Sequence, residues 1–120
     1  MKMRNAYLGY RETIAMPDHE SAQCKILVDY DGNICLLSYN TIVCKVNTDG
    51  WLYINGLYSR TTIKHIGWFM RYISAHFRTS VSYYDAKRCY EHDLIMNVKS
   101  KEAVTYDEYN EKQYAEMRTA

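Results

Sequence analysis

No apolar run in the 120 residues approaches the roughly 18–20 that a bilayer span requires, and Met1–Tyr10 lacks the apolar stretch of a secretory leader. Both absences predict a cytoplasmic protein. Its four cysteines (Cys24, Cys35, Cys44 and Cys89) have no paired C-x-x-C spacing and are expected to be reduced thiols serving as small hydrophobes. There is no G-x-G-x-x-G or Walker loop to hold phosphates and no G-x-S-x-G elbow to present a nucleophile. Net charge is only +1, so no overall field draws the chain to nucleic acid or membrane. Proline occurs once, at Pro17, where Met16-Pro17-Asp18 should interrupt any helix.

What is present describes one folded domain: hydrophobic content of 48% and charged content of 24% argue against global disorder. Tyrosine is abundant, with 13 residues against two Phe and two Trp. Tyrosine buries its ring while its hydroxyl finds a partner, which suits core edges and binding surfaces. Charge is unevenly placed. Six bases (Arg60, Lys64, Arg71, Arg78, Lys87, Arg88) face one acid, Asp85, between residues 60 and 88, whereas residues 91–120 carry seven acids and four bases. Such a split marks a basic face and an acidic tail, or two solvated faces that pair with each other.

Residues 1–22 read as an N-terminal arm, with Ala6–Tyr10 a short strand or turn. From Cys24 the pattern alternates: Ile26, Val28 and Tyr30 on one face, Lys25, Leu27 and Asp29 on the other, then the Asp31-Gly32 turn. Asn33–Tyr39 is a second strand. Thr41–Val46 is a third, with Ile42, Cys44 and Val46 opposite Val43 and Lys45, and Trp51–Ile54 is a fourth. Links this short require an antiparallel meander. Ser59 or Thr61 then caps a helix to about Phe77, whose Ile63, Ile66, Met70, Ile73 and Phe77 form one apolar stripe. Gly67 inside it is expected to let the helix approach the sheet closely. Ser80–Tyr84 suggests a strand, Asp85–His92 a short helix and Leu94–Val98 another apolar element. The Thr105/Glu108 spacing is that of a capping box opening a terminal helix. The predicted fold is α+β: a four-stranded antiparallel meander with one long helix packed on it and a C-terminal helical segment. It is a single domain, with an arm (1–22), a sheet-plus-helix core (23–78) and Tyr-rich, acidic C-terminal elements (79–120).

Chemistry concentrates at Tyr58–Ile66. Hydroxyls and backbone N–H groups at a helix start, with Arg60 and Lys64, suit an anion bound by Ser59, Arg60, Thr61, Thr62 and His65, or else simply a cap. Ser59 and His65 lack a third orienting group for covalent catalysis. His65 and His76, eleven residues apart, would sit about 16 Å from each other on a helix, too far for one metal ion. Cys89-x-x-His92 is a lone ligand-like pair that would need Cys35 or His76 to hold zinc. Trp68, Arg71, Tyr72, Arg78, Tyr83 and Tyr84 interleave bases with rings, as stacking on single strands requires. No metal or cofactor site is spelled out, and no enzyme is expected.

The run Leu37-Ser38-Tyr39-Asn40-Thr41-Ile42-Val43, with Trp51–Gly56 and then Tyr58-Ser59-Arg60-Thr61-Thr62-x-Lys64-His65-Ile66, resembles a family of small phage and prophage proteins without assigned function. The resemblance spans residues 24–73 and carries no catalytic residues. It implies a mobile-element protein acting in a bacterial cytoplasm, of the kind to which anti-CRISPR and other anti-defence inhibitors belong. On that basis the chain is expected to bind and inhibit a host protein or nucleoprotein, a CRISPR effector being the natural case. Tyr106, Asp107, Glu108, Tyr109, Glu111 and Tyr114 of the tail would form the partner surface, and Ser59, Thr61, Thr62 and His65 a structural motif. The alternative is a nucleic-acid-binding accessory or regulatory protein using Arg60, Lys64, Arg71, Arg78, Lys87 and Arg88.

Overall fold

A computed structural model describes residues 10–15, 23–56 and 60–119. The elements in chain order are β1 (Tyr10–Ala15), β2 (Cys24–Asp29), β3 (Ile34–Ser38), β4 (Thr41–Val46), β5 (Trp51–Ile54), α1 (Arg60–Phe77), α2 (Tyr83–Glu91), β6 (Leu94–Asn97), β7 (Ala103–Thr105) and α3 (Tyr106–Thr119). The expected Ala6–Tyr10 element, apart from Tyr10 itself, lies outside the described residues, as do the break at Met16-Pro17-Asp18 and the Tyr58-Ser59 start of the junction motif.

The strands form one seven-stranded sheet in the order β1-β2-β3-β4-β5-β6-β7, each neighbouring pair antiparallel. The four-stranded expectation is therefore corrected to seven. The four predicted strands are β2–β5; the three additions were too weakly patterned to read. β1 is an edge strand with two register irregularities and exposed Arg11, Glu12 and Thr13, features that blunt edge-to-edge pairing. β6 and β7 have four and three residues, too few for alternation to register. The helical excursion from α1 through α2 returns the chain beside β5, with Leu52 opposite Met96.

Three of the described hairpin turns begin with a residue whose side chain satisfies loop N–H groups. The Asp29 carboxylate accepts from Asp31 and Asn33. Asn47 Oδ1 accepts from Asp49 and Trp51, and Asn97 Oδ1 from Lys99 and Ser100. Gly32 (φ 86°) and Gly50 (φ 95°) supply the left-handed residues that the first two of these turns need.

Alternation gives the sheet two covered faces. On one, Ile26, Leu36, Cys44, Val46, Leu52 and Met96 pack against Ile66, Phe69, Met70 and Ile73 of α1 and Ala86 and Cys89 of α2. The four α1 side chains are fully buried, each worth roughly 1.5–3 kcal/mol in transfer free energy. On the other face, Leu27, Cys35 and Leu37 cluster with Ile42. Ile42 was expected beside Cys44. The register instead steps from Leu36↔Cys44 to Leu37↔Ile42, leaving Val43 as an extra residue and turning Ile42 to the opposite face.

The expected strand at Ser80–Tyr84 is also corrected. Ser82 caps α2, accepting from Tyr84 N–H while the Asp85 carboxylate accepts from Ser82 N–H. This is a capping box with Asp at its fourth position, and it starts the helix at Tyr83. The terminal box forms as predicted: Thr105 Oγ1 accepts from Glu108 N–H at 3.1 Å. α3 is then held to the second face by Tyr109, which is buried against Trp51 at 5.0 Å between ring centroids. The Tyr109 and Tyr53 hydroxyls share a 2.6 Å hydrogen bond.

Candidate functional site

Ser38-Tyr39 and His65 of the junction meet in space. Ser38 Oγ and His65 Nδ1 lie 2.8 Å apart, and the Tyr39 ring packs at 5.8 Å from the imidazole. Tyr39 occupies the β3–β4 turn with φ 55°, a left-handed conformation unusual for a ring-bearing residue. The α1 stripe points His65 at the sheet, and the β3 alternation points Ser38 at the helix. Ser38 is 3% exposed and His65 7%, so the pair is sealed between sheet and helix and pins the start of α1 to β3. Thr62 is buried beside it, whereas Arg60, Thr61 and Lys64 are exposed. The proposed anion cluster is thus divided: His65 and Thr62 face inward, Arg60 and Thr61 outward, and Ser59 lies outside the described residues. Lys64 takes no part in fixing the helix.

The cations of α1 have a different geometry. At 3.6 residues per turn, Arg60, Lys64, Gly67 and Arg71 fall within a sector of about 60° opposite the buried stripe, and Arg78 follows just past the helix end, about 27 Å along the axis from Arg60. Arg60, Lys64, Arg71 and Arg78 are all exposed. None makes an ion pair; those among the described residues join Arg11–Glu12, Lys87–Glu91 and Lys112–Glu102. No acid occurs between residues 60 and 78. Lys87 and Arg88 belong to α2, where Lys87 reaches Glu91 at 3.9 Å. Sequence reading overlooked Lys99. The β6–β7 turn brings its Nζ 5.6 Å from the ring of Phe77, the last residue of α1. Only the pairing of β6 with β5 could have revealed it.

Three features of this face oppose helix stability. Arg60 sits in the first turn, where the macrodipole is positive, at a cost of about 0.3–1 kcal/mol. A Cβ built at Gly67 meets nothing within 4 Å, so the expected close approach to the sheet is overturned. An unneeded mid-helix glycine costs up to ~1 kcal/mol relative to Ala. Arg78 adopts φ 54° where the helix ends, with Thr79 N–H bonded to Ser74 O and Arg78 N–H to Ala75 O. That is a Schellman turn, whose left-handed residue is ordinarily glycine; any other costs about 1 kcal/mol or more.

The tail presents less than its sequence suggested. Tyr109 serves packing and Glu108 serves the cap, leaving Asp107, Glu111 and the 63%-exposed Tyr114 on the outer face of α3. Tyr106 instead lines a groove of about 390 Å³ with Ile42, Lys45, Tyr53, Ile54 and Asn55. Because Tyr109 packs on Trp51 and Ile95 while Leu52 and Met96 face α1, the acidic helix and the basic helix lie on opposite faces of the sheet. They do not neutralise each other.

Burial raises the thiol of Cys24 from an ordinary 9.0 to about 11, and that of Cys35, with the Asp29 charge adding to burial, to about 12. Burial also raises Cys44 and Cys89. All four cysteines are free, buried and protonated at neutral pH, hence poor nucleophiles. Cys89 is buried and His92 exposed, and no three metal-binding side chains converge among the described residues. No described helix is long and apolar enough to cross a membrane.

An antiparallel sheet with helices on both faces defines a mixed α/β protein, with a sealed Ser–His contact inside and a basic helix face outside. The chain belongs to a family of unknown function, DUF8033, whose model matches residues 10–87. The match spans β1 to mid-α2 and includes both the Ser38–His65 contact and the basic face of α1; β6, β7 and α3 fall beyond it. No curated protein and no solved structure matches the chain.

Proposed function

We propose that this is a non-catalytic binding protein that engages nucleic acid through the outward face of α1. One observation carries the proposal: Arg60, Lys64 and Arg71 are aligned on a helix with no acid, Arg78 stands at its end, and all four are exposed and free of ion pairs. Cations that served solubility alone would be interspersed with acids and partly paired, as Lys87 and Lys112 are. A row of cations at intervals of about 6–10 Å along a rigid rod matches a chain of phosphates, whose counterions it would release. The non-catalytic character is supported by the Ser38–His65 pair and the cysteines, which are buried away from any substrate.

The resemblance to phage and prophage proteins narrows the setting to a bacterial cell in which the protein inhibits a host nucleoprotein, for instance a CRISPR effector. α1 would occupy the nucleic acid, and the outer face of α3, with Asp107, Glu111 and Tyr114, would meet the protein component. The exposure of these three side chains on the face opposite α1 favours this second contact.

Fluorescence anisotropy with labelled DNA tests the first contact. Wild type binds, and Arg60→Gln/Lys64→Gln/Arg71→Gln/Arg78→Gln does not. Equal binding by both proteins, or none by either at low salt, refutes it. Co-purification of a nucleoprotein that the Asp107→Lys/Glu111→Lys variant fails to recover would support the second.

A further inference from the structure

We infer that the backbone of a nucleic-acid duplex crosses α1 at Gly67, seated against the helix main chain between Lys64 and Arg71. This inference rests on α1 being the nucleic-acid contact and specifies how that contact is made. Gly67 occupies the middle of the basic sector, and space for a Cβ there is open. The protein's own packing therefore gives no reason for glycine at this position. What glycine does is remove the side chain from the centre of the stripe. The result is a saddle with a cation one turn away on either side. Ala75, small and exposed where Gly67 is half-buried, stands between Arg71 and the helix end. A phosphodiester strand laid across the saddle contacts the helix backbone while Lys64 and Arg71 reach its phosphates from both sides.

The same face distinguishes duplex from single strand. Binding of unpaired bases depends on exposed aromatic platforms. The basic sector has none: Trp68 and Tyr72, the nearest rings on α1, are partly buried and packed on the core. The exposed tyrosine rings among the described residues belong to the β2–β3 turn (Tyr30), the β3–β4 turn (Tyr39), α2 (Tyr84, Tyr90) and α3 (Tyr106, Tyr114). The cations spread over about 27 Å of axis, from Arg60 to Arg78 just past the helix end, fit a duplex of about eight base pairs at 3.4 Å each.

The test separates the saddle from the charges. Wild type, Gly67→Ala, Gly67→Leu, Lys64→Gln and Arg71→Gln are compared in thermal melts and in binding to a DNA duplex of about 16 base pairs, twice that footprint, and to the same length of single strand. Gly67→Ala should raise the Tm, because alanine favours helix and its methyl meets nothing, yet weaken duplex binding about threefold; Gly67→Leu should weaken it about tenfold or more. Both should leave the salt dependence of binding unchanged, since no charge is removed. The glutamine variants should weaken binding and flatten that dependence. If the Gly67 variants bind like wild type while the glutamine variants weaken, the saddle is refuted and the basic face stands. If wild type prefers the single strand, the duplex assignment is refuted. If wild type binds neither, the proposed function itself falls.

Discussion

Neutralising the α1 cations one at a time should reduce the salt dependence of nucleic-acid binding in equal steps. Arg60, Lys64 and Arg71 on one sector of α1 and Arg78 at its end lie exposed and without ion pairs, so each can displace one condensed counterion. At a slope of about −0.9 per neutralised phosphate, four contacts give log K against log salt a slope of about −3.6. Raising salt from about 50 to about 200 mM then weakens duplex binding roughly 150-fold, or about 3 kcal/mol. Each single Gln variant should bring the slope to about −2.7, and the loss over the same range to about 40-fold. Lys87→Gln provides the control: Lys87 pairs with Glu91 on α2, so its slope should match wild type. Anisotropy titrations at four salt concentrations measure all of this. A wild-type slope shallower than about −1, or one that none of the four substitutions alters, refutes α1 as a phosphate-binding face.

The other predictions concern the scaffold. Tyr109→Phe removes the 2.6 Å bond to the Tyr53 hydroxyl and should cost about 1 kcal/mol. Tyr109→Ala also empties the site beside Trp51 and should cost about 3 kcal/mol in urea titrations, with faster amide exchange across α3; protection equal to wild type would show that α3 is held by other contacts. His65→Ala leaves the buried Ser38 hydroxyl without this partner and should cost about 2–3 kcal/mol, with DNA affinity unchanged for the protein that remains folded. An affinity loss without a stability loss would make the pair part of the site. Cys24 and Cys35 hold their protons more tightly when folded than when unfolded, so the folded state is favoured fully below about pH 9 and progressively less as pH rises toward 11–12. Urea midpoints should therefore fall across that window, and less steeply for Cys35→Ala; an identical fall in both would trace the effect to other groups.

Most of the local structure was legible in the sequence. β2–β5, the span of α1 and the Thr105/Glu108 cap all follow from alternation, helical spacing and capping chemistry within a few residues of each other. The failures share one cause, which is dependence on distant chain. β1, β6 and β7 become strands only because a neighbour offers a ladder. Ile42 changes face because one extra residue, Val43, is absorbed against β3. Gly67 looked like a packing glycine because its spacing places it within the helix, but which side meets the sheet is a property of the assembled core.

The candidate site divides in the same way. The sequence by itself determined that bases crowd residues 60–88, that acids follow, and that Ser38-Tyr39 and the Tyr58–Ile66 run are distinctive, because composition and motif are properties of the linear chain. Only the tertiary structure decided that His65 is consumed by Ser38, that Tyr109 is an anchor, that Lys99 joins the end of α1, and that the acidic helix lies across the sheet from the basic one. The physical reason is that a helix has no inside until something packs on it. Burying Ile66, Phe69, Met70 and Ile73 against the sheet turned Arg60, Lys64 and Arg71 into one unopposed row.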